Sequence, residues 1–122
     1  MEKILVVDDE ENIRNIIKKY AVFEGYDVYE AEDGIEAVNL CRQNNYDIII
    51  MDIMMPVMDG LTATRAIRAL ERADAKTIPI IAMTANAFEE DARKCLDAGM
   101  NVHLAKPLCM EELVATLARL CN

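Results

Sequence analysis

Short apolar runs alternate along the chain with longer stretches in which apolar residues recur every three or four positions. The runs occupy positions 4–7, 28–31, 48–51, 80–83 and 102–105. Runs of this length are typical of β-strands, and those at 4–7, 48–51 and 80–83 carry no charge, as in strands that are buried on both faces. The run at 28–31 alternates in polarity, which indicates an edge strand.

The stretches between and after these runs show helical periodicity. Their apolar stripes are Ile13, Ile16, Ile17 and Tyr20; Val38 and Cys41, after a predicted helix start at Asp33; Leu61, Thr64, Ile67 and Leu70; Phe88, Ala92, Cys95 and Leu96; and Leu113, Val114, Leu117 and Leu120. The pattern predicts an α/β fold of the (βα)5 type, a doubly wound, five-stranded parallel sheet with right-handed crossovers. The polar stretch at 71–76 is predicted to be a surface loop.

Length and composition narrow the class of protein. The chain has 122 residues, which fits a single domain at 1–122 and leaves no room for an output domain. A net charge of −9 and the absence of Trp argue against a nucleic-acid partner. No run approaches the length needed to cross a bilayer, so we expect a cytoplasmic protein with no membrane contact.

The four cysteines and the single histidine show no zinc-site spacing. We therefore interpret the cysteines as reduced thiols that mostly pack in the core.

Polar residues that could carry chemistry follow four of the predicted strands. Asp8 and Asp9 follow the first, Asp52 the third, Thr84 the fourth and Lys106 the last. In an open α/β sheet, functional groups gather beyond the carboxyl ends of the strands, so we expect these side chains to converge.

Three converging carboxylates repel one another unless a cation lies between them, and oxygen ligands favour Mg²⁺. With that charge neutralised, Asp52 can attack a phosphoryl group, while Lys106 and Thr84 contact its oxygens.

These residues resemble the receiver domain of two-component response regulators over essentially the whole chain. The matching elements are Ile4–Glu10, Met51–Gly60, Met83–Ala85 and Ala105–Pro107. Each segment alone is weakly diagnostic, but the four in this order and spacing are highly specific.

The resemblance implies a flavodoxin-like strand order 2-1-3-4-5, and Mg²⁺ held by Asp8, Asp9, Asp52 and the backbone carbonyl of Met54. It also implies transfer of a phosphoryl group to Asp52 from a histidine kinase or histidine phosphotransfer protein, and a cis bond between Lys106 and Pro107. The domain would catalyse its own phosphorylation and dephosphorylation rather than act as a metabolic enzyme. Its changed surface would then act on an output domain or protein, with the receiver a monomer or a weak phosphorylation-dependent dimer.

Two positions depart from the family pattern. His103 stands where receivers usually place Tyr or Phe as a rotameric switch, and Cys109 stands where related sequences often have Asp. Receivers of hybrid histidine kinases often carry His at the first position, and the second half of the chain resembles that branch. We interpret His103 as a residue that faces a partner.

Two other functions fit part of this residue pattern. A phosphatase of the haloacid dehalogenase type also uses Asp and Mg²⁺ at a strand end, but it needs a second Asp where this chain has Met54. An interaction module that is never phosphorylated usually lacks one of the acids or the lysine, and this chain keeps all of them. Nucleotide binding has no support, because the glycines form no phosphate-binding motif.

Overall fold

The computed structural model describes residues 2–85 and 89–121. The strands are Lys3–Val7 (β1), Asp27–Ala31 (β2), Ile48–Asp52 (β3), Ile80–Thr84 (β4) and Val102–Ala105 (β5). The helices are Glu11–Phe23 (α1), Gly34–Gln43 (α2), Gly60–Arg68 (α3), Ala73–Thr77 (α4), Glu89–Ala98 (α5) and Met110–Cys121 (α6). All strands are parallel, in the order β2-β1-β3-β4-β5. The predicted fold class, strand order and edge position of β2 are confirmed.

The sheet has an apolar cluster on each face because successive side chains of a strand point to opposite sides. Leu5, Ile49 and Ile80 lie on the face covered by α2, α3 and α5. Ile4 and Ile48 lie on the other face, beneath α1 and α6. Buried strands with both faces covered explain the uninterrupted apolar runs of the sequence.

Two helices begin at aspartates that the sequence places before a glycine. The side chain of Asp33 accepts a hydrogen bond from the backbone N–H of Glu36, and that of Asp59 accepts one from Thr62. Such caps satisfy an otherwise free amide at the start of a helix. Gly60 also lets α3 begin against β3, because a Cβ atom there would lie 2.3 Å from the carbonyl oxygen of Asp52.

Three predictions about secondary structure and packing were wrong in whole or in part. The stretch at 71–76 is not only a loop, because it contains most of α4, where Ala75 is buried. The stripe predicted for α1 is rotated, because Ile16 and Tyr20 are exposed while Arg14 and Ala21 are buried with Ile17.

The stripe predicted for α5 is correct at Cys95 and wrong at Leu96. Cys95 and Ala98 are buried, whereas Leu96 is exposed. Phe88, which belongs to the same predicted stripe, lies outside the described residues. The short segment offers too few apolar positions to fix the helix face from sequence alone.

In the part of the chain that the structure describes, no disulfide joins Cys41, Cys95 or Cys109 to another residue. Cys41 and Cys95 are buried and Cys109 is exposed. Within the described residues, no helix combines the length and the apolar composition that crossing a bilayer requires.

Candidate functional site

Three carboxylates meet at the carboxyl edge of the sheet. Asp8 and Asp9 follow β1, and Asp52 is the last residue of the neighbouring strand β3. One oxygen of each lies within 4.8 Å of the others. Asp8 and Asp52 are buried, with 0% and 4% exposure, whereas Asp9 is exposed. The cluster is therefore open to solvent on the side of Asp9.

Local turns orient the two buried carboxylates in the same way. One oxygen of Asp8 accepts a hydrogen bond from the backbone N–H of Glu10 at 2.8 Å. One oxygen of Asp52 accepts a hydrogen bond from the N–H of Met54 at 3.1 Å. Each aspartate thus accepts a hydrogen bond from the amide two residues further on, as in an Asx-turn. This bond restricts rotation of the carboxylate and so fixes the direction of its second oxygen.

Lys106 binds both of these second oxygens. Its Nζ lies 3.1 Å from Oδ2 of Asp8 and 3.0 Å from Oδ2 of Asp52. The residue directly follows β5, where its backbone N–H donates to the carbonyl of Thr84 at 2.7 Å. The bond between Lys106 and Pro107 is cis, as the sequence predicted. One ammonium group cannot neutralise three carboxylates, so the all-oxygen cluster has the composition and charge of a site for a hard divalent cation.

Burial and pairing compete at Asp52 and Lys106. Burial raises the pKa of Asp52, and the hydrogen bonds from Lys106 and Met54 only partly offset that effect. Repulsion from Asp8 contributes least to the raised pKa, so burial rather than acid clustering is the main cause. Burial works to lower the pKa of Lys106, but its hydrogen bonds and ion pairs with Asp52 and Asp8 outweigh it and raise that pKa.

Thr84 ends β4, the strand beside β3. Its side chain is fully buried. Among the described residues, its hydroxyl oxygen has no hydrogen-bond partner. A buried hydroxyl of this kind can donate a hydrogen bond to an acceptor that binds beside the end of β4.

The remaining predicted site residues lie around this cluster. The side chain of Met54 is exposed, and its N–H is the group that binds Asp52. Pro107 is exposed beside Lys106. His103 is half-buried in the edge strand β5, opposite Ala82 in the register, so its side chain is only partly available to a partner. Its assigned role, like the ligand role of the Met54 carbonyl, stays a prediction.

Sequence reasoning missed Arg14, which lies on the buried face of α1. Its Nη1 donates to the carbonyl oxygen of Asp8 at 2.7 Å, and its Nε donates to Glu30 at 3.1 Å. A signal was present, because Arg14 shares a helix face with Ile17 and Ala21 at intervals of three and seven residues. A charged residue on a core-facing stripe needs a partner.

The fold and the site define a doubly wound α/β domain with a cluster of three carboxylates at the carboxyl edge of its sheet. A family model for the response regulator receiver domain matches residues 4–118. The chain belongs to this family of two-component signalling domains.

Known proteins agree with this assignment. The sensor histidine kinase RcsC of Salmonella typhi is 39% identical over 94% of this chain, which spans 12% of RcsC. The response regulator MprA of a Mycobacterium species is 37% identical over 97% of this chain, which spans 50% of MprA. The chain therefore matches only part of these longer proteins.

Solved structures show the same fold. The chemotaxis protein CheY4 of Vibrio cholerae has a TM-score of 0.92 and 34% identity, covering 98% of both chains. The receiver domain of a Pseudomonas aeruginosa sensor histidine kinase has a TM-score of 0.89 and 43% identity, covering 98% of this chain and 97% of its own. That structure holds a magnesium ion coordinated in its active-site cleft.

Proposed function

We propose that this domain accepts a phosphoryl group on Asp52 from the phosphohistidine of a histidine kinase or histidine phosphotransfer protein. The observation that carries the proposal is the group of three carboxylates within 4.8 Å of one another, beside Lys106. Asp8, Asp9, Asp52 and the carbonyl of Met54 would hold Mg²⁺. When bound, Mg²⁺ neutralises negative charge on the carboxylates and on the incoming phosphoryl oxygens.

The transfer is a single displacement at phosphorus. A carboxylate oxygen of Asp52 attacks, the new O–P bond forms, and the N–P bond breaks with its electron pair left on the imidazole nitrogen. Lys106 already binds Asp52 and can follow the negative charge onto the phosphoryl oxygens. The unpartnered hydroxyl of Thr84 can donate to another of those oxygens. Hydrolysis then releases phosphate when water attacks phosphorus and displaces the Asp52 carboxylate.

An apolar groove lies beside α1, next to the segment that follows Lys106. Ile16 and Tyr20 are exposed on this helix and line one groove with Pro107 and Leu108. Because Pro107 directly follows Lys106, the groove borders the segment that carries this lysine. We propose that a helix that presents the phosphohistidine packs here, since exposed apolar residues around a polar site favour a protein partner.

Phosphorylation would change the surface around β5, including His103, and so act on an output domain or protein. We propose residues 1–122 as one receiver unit that works in the cytoplasm, as a monomer or a weak dimer formed on phosphorylation. The net charge of −9 makes direct nucleic-acid binding by this domain unfavourable.

Labelling with a small acyl phosphate and Mg²⁺ tests the acceptor. We expect one phosphoryl group per chain, located on Asp52 by mass spectrometry after chemical trapping. Asp52→Asn should take up none, and Asp9→Asn should be labelled slowly because Asp52 remains while a metal ligand is lost. Undiminished labelling of Asp52→Asn would refute the assignment, and no labelling of the parent would favour an interaction module that is never phosphorylated.

A further inference from the structure

Arg14 holds the backbone of Asp8 in place. The carbonyl of Asp8 accepts its hydrogen bond from Arg14 at 2.7 Å, and the N–H of Asp8 donates to the carbonyl of Ala31 at 3.2 Å. Both polar backbone groups of Asp8 are therefore fixed from the side of β2 and α1. The peptide that joins Asp8 to Asp9 can rotate little while Arg14 stays in place.

The guanidinium group is itself fixed by burial and by a second partner. Arg14 is only 8% exposed, and its Nε binds Glu30 of the neighbouring strand β2. Glu30 also lies 3.6 Å from Lys18, one turn further along α1. A planar guanidinium can bind a carbonyl and a carboxylate at the same time in one geometry, which a lysine ammonium cannot reproduce.

We propose that Arg14 is a positioning residue that sets the Mg²⁺ affinity of the site by fixing the peptide between Asp8 and Asp9. The inference rests on the proposed function, because Asp8 and Asp9 are the proposed metal ligands. Groups that hold metal ligands in place from behind commonly change metal affinity when they are replaced.

The proposal predicts that replacing Arg14 weakens Mg²⁺ binding, whereas charge effects alone would strengthen it. Arg14 carries a positive charge close to Asp8, so removing the charge should by itself tighten binding of a cation. Loss of the fixed peptide should weaken binding. The replacement Arg14→Lys separates the two effects, because it keeps the charge and loses the planar fork.

The experiment is a calorimetric titration of the full chain with Mg²⁺, for the parent, Arg14→Gln and Arg14→Lys. We expect Mg²⁺ to bind both variants about 10- to 100-fold more weakly than the parent, and Arg14→Lys at least as weakly as Arg14→Gln because it keeps the repulsive charge. If Arg14→Gln fails to fold, Arg14→Lys alone tests the proposal.

Arg68 supplies a matched control. Its Nε and Nη2 donate to the carbonyl of Gly99, and its Nη1 donates to the carbonyl of Ala75. Gly99 precedes β5 and Ala75 precedes β4, so Arg68 lies at the opposite edge of the sheet. Arg68→Gln should lower the melting temperature in chelator, as Arg14→Gln does, and leave the Mg²⁺ affinity within about twofold of the parent.

The outcomes separate the two proposals. If the parent binds Mg²⁺ and the Arg14 variants bind it equally or more tightly, the role of Arg14 is refuted while the metal site stands. Equal weakening by Arg68→Gln would likewise refute it, because general destabilisation would then explain the effect. If the parent itself binds no Mg²⁺, the proposed metal site fails and the role of Arg14 fails with it.

Discussion

Lys106 forms a 3.0 Å ion pair with Asp52, although these residues are 54 positions apart and lie at the ends of strands, β5 and β3, that are not neighbours in the sheet. The lysine side chain crosses the end of β4 to reach β3 and continues to Asp8 after β1. Through these two contacts, Lys106 links the ends of β1, β3 and β5 at one edge of the sheet. The strength of these contacts depends on the low exposure of both carboxylates.

Replacing Lys106 with Met should destabilise the protein, because two buried carboxylates lose a cation that contacts both. We expect a loss of about 3 kcal/mol in the free energy of unfolding at neutral pH in chelator. Mg²⁺ should restore more stability to Lys106→Met than to the parent, since it replaces the missing charge. Urea unfolding with chelator and with Mg²⁺ measures both effects.

The matched control is Lys18→Met, which removes a half-exposed lysine 3.6 Å from Glu30. A surface ion pair of this kind is worth about 0.5 kcal/mol or less. Equal stability of Lys106→Met and the parent in chelator would contradict the expectation that Lys106 stabilises the carboxylates.

Asp52 should make stability depend on pH. Burial raises the pKa of Asp52 in the folded state above its ordinary value. Between the unfolded-state pKa and the folded-state pKa, the folded state therefore keeps a proton that the unfolded state has lost. The free energy of unfolding therefore falls as pH rises through this range. Ionised Asp52 is a cost at neutral pH, and Asp52→Asn should be more stable than the parent there.

This advantage should shrink as pH falls through the folded-state pKa of Asp52, because the parent then becomes neutral at that position too. Urea unfolding of both proteins in chelator between about pH 7 and pH 4.5 measures the difference. Glu71→Gln, at an exposed position, is the control for loss of one carboxylate. A difference that stays constant or grows on acidification would show that Asp52 does not titrate as proposed.

Val57 should be a strained residue in the loop between β3 and α3. It has φ of 71° and a 78% exposed side chain. A β-branched residue with positive φ costs more than glycine does, and the exposed side chain contributes little packing in return. Val57→Gly should raise the free energy of unfolding by about 0.5–1 kcal/mol, after the greater entropy of glycine in the unfolded state is included.

The opposite change at Gly25 tests the same cost of a positive φ at a second position. Gly25 has φ of 94°, and a Cβ atom there would meet nothing within 4 Å. Gly25→Ala should therefore cost about 1 kcal/mol through the backbone alone. Thermal unfolding of both variants gives the comparison, and a destabilised Val57→Gly would show that the valine side chain contributes more than its exposure indicates.

The strands and their ends could be predicted from sequence because an uninterrupted apolar run has one stable place, the middle of a covered sheet. This places Asp8 and Asp52 at one edge of the sheet. The helix faces were harder, because α1 carries apolar residues on more than one side, and its buried face includes Arg14. The position of Arg14 depends on contacts with Asp8 and Glu30 that are distant in sequence and follow no local periodicity.

The short helix α4 shows the same limit. Its five residues are mostly polar or small, and tertiary contacts connect it to α3: Ala75 is buried, the Ala75 carbonyl accepts a hydrogen bond from Arg68, and the ammonium of Lys76 donates to the Arg68 carbonyl. A helix this short gains its stability from tertiary contacts rather than from its own sequence. Local pattern therefore could not distinguish it from a loop.

Replacing Thr84 with Val should separate stability from signalling. The two side chains have nearly the same shape, and the hydroxyl of Thr84 is fully buried with no partner among the described residues. Removing it should raise the free energy of unfolding without Mg²⁺ by about 1 kcal/mol, because an unsatisfied buried polar group is lost.

The same variant should lose the hydrogen bond that we propose Thr84 donates to the phosphoryl group. Amide chemical shifts with and without a beryllium fluoride phosphoryl mimic measure this loss. In the parent the changes should extend through β5 to Met110, and in Thr84→Val they should stay near Asp52. Thr84→Ser keeps the hydroxyl and should retain the wider response. A wide response in Thr84→Val would show that the hydroxyl does not couple phosphorylation to β5, and a destabilised Thr84→Val would show that the hydroxyl already has a partner before phosphorylation.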